Sequence, residues 1–171
     1  IDWYEQLAGY TTLDDPLEAA QHHIHPPLTM EQATKAVCRV LETGDANGIR
    51  GGITEAFPRC LATDIIELFE RVQQAGRSPS HMHLDIDEQF LKQTMTDDQI
   101  SHDLHWLQAQ CRAWHIPFGV IINGQRGDTP DAYRAGLLEW LGFVRPMLDG
   151  DADRYILQSW KKQPLPVNLS E

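Results

Sequence analysis

Residues 80–90 read "SHMHLDIDEQF". His81, His83, Asp85 and Asp87 alternate with Met82, Leu84 and Ile86, the period-2 pattern of a strand with one polar face and one hydrocarbon face. A central strand in a sheet covered by helices on both sides is apolar on both faces. Residues 117–124, "PFGVIING", obey that rule and residues 80–90 do not. Unpaired carboxylates are costly to bury, so the second face must be wet, hydrogen-bonded or metal-bound. The interior of a barrel near the C-terminal ends of its strands is such a place, and barrel enzymes keep their chemistry there. On this reading Asp87 lies nearest the rim, Asp85 one layer deeper and the histidines lower still. Glu88 reads as a solvated residue. The plainer alternative is an edge strand facing water, or a satisfied polar network without a catalytic role.

Outward from this strand the pattern alternates. Residues 1–28 are an irregular lead-in broken by "TTLDDP" and "HHIHPP", where Pro26 and Pro27 close any preceding helix. Residues 28–45 predict a helix, with Thr29 as N-cap, Gln32 completing a capping box, and Ala33, Val37, Val40 and Leu41 as its apolar stripe. "GIRGGITEAF" (48–57) is a strand candidate. "CLATDIIELFERVQQAG" (60–76) is a helix with Leu61, Ile65, Leu68, Phe69 and Val72 inward and Gly76 as its C-terminal cap. After the strand at 80–90 comes a helix over 96–116, capped by Thr96 or Asp97 and burying Ile100, Leu104, Leu107 and Cys111. A buried strand over 117–125 follows, then a helix from Thr129 with Pro130 in its first turn, bent or ended near Pro146. "RYILQSW" (154–160) is the last strand, before a proline-rich tail.

Strands that alternate with helices at about thirty residues per unit indicate an α/β architecture of parallel strands with helical crossovers. Four strands are half of a TIM (β/α)8 barrel, which typically takes roughly 250 residues. With the chain starting at Ile1 in an irregular lead-in, the expectation is the C-terminal half of such a barrel over 29–171. The alternative is a small open doubly wound sheet.

Composition narrows the function. The 171 residues carry 14 basic and 25 acidic side chains, a net charge of −11. That opposes nucleic-acid binding, which needs basic groups to displace phosphate counterions. There is no apolar run of ~18 residues to span a membrane, and no signal-peptide pattern at the N-terminus. Cys38, Cys60 and Cys111 are odd in number and scattered, fitting neither a disulfide framework nor a structural zinc site. Cys38 and Cys111 fall in helical patterns and read as small core residues. "GDANGIRGG" matches neither a Walker loop nor a dinucleotide fingerprint, and no G-x-S-x-G elbow occurs.

The strand ends carry the candidate site. Glu55 ends the first strand, Asp85 and Asp87 the second, Asn123 and Gln125 the third, and Gln158, Ser159 and Trp160 the fourth. Two carboxyl groups can do acid/base or nucleophilic work on a glycosidic bond. Amides hydrogen-bond hydroxyls, and an indole supports the apolar face of a sugar ring. A rival reading gives His81 and His83 to zinc or another divalent metal, since both rings of a His-x-His strand project the same way. That pair resembles the strand motif of metal-dependent amidohydrolases, although there it sits on the first strand. His22, His23 and His25 are loop-borne, and His102, His105 and His115 lack the H-E-x-x-H pattern.

Taken together, the strand ends resemble those of (β/α)8 glycoside hydrolases, in many of which a Glu or Asp closes middle strands and a Trp ends the eighth. "QSW" followed by "PLPVNL" is similar to that eighth strand and its tail. The resemblance implies strands five to eight, with Glu55 and Asp87 as the carboxyl pair, Asp85 orienting its neighbour, and Asn123, Gln125, Gln158 and Trp160 holding sugar. The chitinase motif Asp-x-x-Asp-x-Asp-x-Glu does not fit, because Met82 and Gln89 fall at its first aspartate and its glutamate. The implied partner is a carbohydrate substrate, with no cofactor. The missing barrel half, or another chain, would complete the structure, and secretion or a periplasmic location would suit a polysaccharide enzyme. A non-catalytic glycan-binding barrel is the remaining reading.

Overall fold

A computed structural model of the chain describes residues 29–86, 88–123 and 129–158. The element order is α1 (Met30–Ala46), β1 (Ile53–Phe57), α2 (Ala62–Gln74), β2 (Met82–Ile86), α3 (Glu88–Thr94), α4 (Asp97–Ala113), β3 (Phe118–Asn123), α5 (Pro130–Val144), a 3-10 turn (Arg145–Met147) and β4 (Arg154–Gln158). The four strands form one parallel sheet in the order β1-β2-β3-β4, so the α/β architecture read from the sequence is correct.

Local chemistry sets the helix limits. Thr29 and Gln32 form a reciprocal capping box on α1, and Thr96 and Gln99 form another on α4, each satisfying two backbone donors at a helix start. Thr129 caps α5, which has Pro130 in its first turn. α2 ends in a full Schellman motif: Gly76 takes φ +78, its N–H reaches the Gln73 carbonyl, and the Arg77 N–H reaches that of Val72. Pro146 converts the end of α5 into the 3-10 turn.

Monotonic strand order with right-handed crossovers places the helices on one side of a sheet. α1 packs against α2 and α2 against α4, while α4 and α5 both lie on β3. Their stripes bury Ala33, Val37 and Leu41 from α1, Ile65, Leu68, Phe69 and Val72 from α2, and Ile100, Leu104, Leu107 and Cys111 from α4. On the sheet they meet Ile53 and Phe57, Met82, Leu84 and Ile86, and Phe118, Val120 and Ile122. No described helix is long and apolar enough to cross a membrane.

Three expectations need correction. Leu61 is 60% exposed rather than inward, because it is the N-cap residue of α2 and lies before the stripe begins. The strand read over 80–90 stops at Ile86, and Glu88 opens α3, where it pairs with Lys92 at 2.8 Å. Cys38 is half-buried and packs against the core from its rim. Burial pushes the thiol of Cys111 up to about 12 and raises that of Cys38 as well. Under native conditions at pH 8 a thiol reagent should therefore modify Cys38 first and leave Cys60 and Cys111 until the protein unfolds. Equal native rates at all three would contradict this packing.

Candidate functional site

The register sorts the sheet into two faces. Ile53, Glu55 and Phe57 of β1 lie beside Met82, Leu84 and Ile86 of β2. Adjacent positions alternate across a strand, so these six share one face. It is the helix side: a Cβ on Gly51 would meet the Leu41 side chain of α1 at 2.8 Å, and the Cys111 thiol reaches Met82 sulfur at 3.6 Å. The other face carries Thr54 and Ala56, then His83 and Asp85, then Gly119 and Ile121, then Arg154 and Ile156.

The polar column of β2 is therefore real and turned away from the helices. His81 and His83 are buried and Asp85 is half-buried. The two imidazoles are in contact, with centroids 4.4 Å apart and planes inclined by 31°. Each ring spreads over a glycine of a neighbouring strand segment. A Cβ on Gly52 would lie 2.1 Å from the His81 ring, and one on Gly119 would lie 2.5 Å from the His83 ring. Ser80 Oγ stands 2.8 Å from His81 Nδ1 and fixes the orientation of that ring. Asp85 lies in register between Ala56 and Ile121.

Glu55 and Asp85 are not brought together. Glu55 is on the helix side, 1% exposed, and accepts from the Cys60 thiol across 3.7 Å. Asp85 projects from the opposite face of the sheet. Asn123 and Gln158 are paired in the β3–β4 register, and the Gln158 carbonyl accepts from the Tyr133 hydroxyl at 2.8 Å. Asp87, Gln125, Ser159 and Trp160 lie outside the described residues, as do His22, His23 and His25.

Among the described residues no three His, Cys, Asp or Glu side chains converge in a way that could hold a metal ion. His81 and His83 spread toward different neighbouring strands, β1 and β3, rather than toward one point. The sequence reading missed the two glycines that accommodate them, although "RGG" before β1 and "PFG" before Val120 were visible signals. Compared with protein-family models, curated proteins and solved structures, the chain shows no match.

Proposed function

We propose that the chain is the C-terminal half of a (β/α)8 barrel, and that the face turned away from the helices serves carbohydrate processing of the glycoside hydrolase kind. The supporting observation is the combination of monotonic parallel strand order with the polar column His81, His83 and Asp85 on that face. In a closed barrel this face lines the lumen, and Asp85 stands toward the C-terminal strand ends where such enzymes react. The carboxyl groups of this reading are Asp85 and, on sequence position, Asp87, with Gln158 and Asn123 on the adjoining strands and Trp160 beyond them. His81 and His83 support the column from below. Glu55 leaves the pair because of its face. Four further strands, from the other barrel half or another chain, complete the lumen and cover β1 and β4, the outer strands of the described sheet.

The test is hydrolysis and binding of a panel of α- and β-linked oligosaccharides by the full chain and by Asp85→Asn. Loss of turnover by at least about a hundredfold with folding intact supports the enzyme reading. Oligosaccharide binding without turnover in the wild type would favour a glycan-binding barrel instead. Absence of both binding and turnover would end the carbohydrate assignment.

A further inference from the structure

At the other end of the strands, the segments that lead into β1, β2 and β3 and the first residue of β4 line an open cavity of about 490 Å³. That volume is within the usual range for small-molecule sites. Its charged and polar lining comes from four separate segments: Arg50, Ser78 and Ser80, His115, and Arg154, with Asp45 from the end of α1. His81 and Trp114 border it, and Trp114 is held by face-to-face stacking on Phe69 with centroids 5.3 Å apart.

The arginines distinguish this cavity. Among the described residues most other basic side chains are neutralised, Lys35 by Glu31, Arg71 by Glu67, Arg77 by Glu42, Arg112 by Asp149 and Arg145 by Asp151, with Arg39 on α1 an exception. Arg50 and Arg154 have no ion-pair partner among the described residues, and both line this one cavity in a protein of net charge −11. The backbone leading into Arg154 is anchored because Asp153 accepts from the Phe118 N–H at 2.8 Å, and the neighbouring loop is tied by Arg145 to Asp151 and by the Tyr155 hydroxyl to the same carboxylate. The Tyr155 hydroxyl and the Arg145 charge hold the Asp151 carboxyl below its ordinary value, so this anchor stays ionised at neutral pH.

Two effects oppose an anion here. Asp45 lines the same cavity, and α1 and α4 both end beside it with the negative ends of their dipoles. The dipole ends are partly quenched, because backbone N–H groups of Asn47, Gly48 and Ile49 cap α1 and those of Trp114, His115 and Ile116 cap α4. Each dipole end amounts to about half a charge, and one carboxylate opposes two guanidinium groups that carry full charges. The hydroxyls of Ser78 and Ser80 and the His115 ring add further polar groups to the lining. At full strength the two dipole ends and Asp45 would match the two guanidinium charges, so it is the capping of both helix ends that leaves the positive margin for a small oxyanion.

We infer that this cavity is a binding site for a small phosphate-class anion, gripped by Arg50 and Arg154 and hydrogen-bonded by the surrounding hydroxyls. It is separate from the carbohydrate reading and does not depend on it. The experiment is calorimetric titration of the full chain with inorganic phosphate and, in parallel, with glucose 6-phosphate. Saturable one-site binding of phosphate is expected, weakened at least about tenfold by Arg50→Gln or Arg154→Gln and unchanged by Arg39→Gln. Arg39 lies on α1 outside the cavity, and it too has no ion-pair partner among the described residues, so it controls for net charge. All three arginines are exposed, so these variants leave the core untouched. Tighter binding of glucose 6-phosphate assigns a phosphorylated sugar, and equal binding assigns the free anion. No binding of either probe, or equal weakening by Arg39→Gln, overturns the inference.

Discussion

Replacing Gly52 by alanine is expected to destabilise the protein by about 2 kcal/mol, or about 4–8 °C in thermal midpoint for a chain of this size. Gly52 does not adopt a left-handed backbone conformation, so strain at the backbone is not the cause. The cause is the His81 ring, which an added methyl would meet at 2.1–2.4 Å on three of its atoms. The ring cannot swing aside cheaply. Ser80 Oγ engages its Nδ1 at 2.8 Å, and the His83 ring packs against it at 4.4 Å. A double-mutant cycle isolates the contact. In a His81→Ala background the same Gly52→Ala change should cost less than about 0.5 kcal/mol, giving a coupling of roughly 1.5 kcal/mol. Identical costs in both backgrounds would show that the ring is not what the methyl meets. Gly119→Ala and His83 form a second instance, because there the added carbon would lie 2.5 Å from ring Cδ2 and 3.3 Å from the Cβ of Arg154.

These glycines show why part of the molecule was legible from sequence and part was not. Helix limits depend on residues within four positions of each other. Thr29 with Gln32, and Gly76, could therefore be read directly and stand where the pattern put them, and of the two caps offered for α4 it is Thr96 that caps it. The polar column of β2 was also legible, since strict alternation survives any tertiary context that buries one face. What seats the column was not. Gly52 and Gly119 matter because separate segments bring them beside His81 and His83; "RGG" and "PFG" mark the glycines, but no local pattern reports which side chains they face. The cavity at the leading ends of the strands is harder still, because Arg50, Ser80 and His115 belong to three different loops and Arg154 opens β4. The β2 boundary failed for a local reason. Glu88 and Lys92 are spaced for an i,i+4 pair, which favours the helix that begins there over a longer strand.

Glu55 lies on the helix side of the sheet, and its substitution gives the second large expected effect. Its distance from the end of β1 suggested a rim carboxyl, yet Ile53 and Phe57 flank it at two-residue spacing. The face that buries them must take Glu55 too. Glu55→Ala should cost about 3 kcal/mol, combining a buried cavity with loss of the acceptor for the Cys60 thiol. Glu55→Gln keeps the volume and a carbonyl oxygen toward Cys60, so it should cost about 1 kcal/mol. The decisive comparison sets stability against turnover. Any oligosaccharide hydrolysis found for the wild type should persist within about threefold in Glu55→Gln and fall at least about a hundredfold in Asp85→Asn, while only the Glu55 variants lose stability. If Glu55→Gln instead abolished turnover at unchanged stability, the register of β1 against β2 could not be that of the active protein. A barrel-rim carboxyl pair including Glu55 would then have to be restored. The two carboxylates are separated by the sheet itself, so one substitution at each position distinguishes support of the core from work on a ligand.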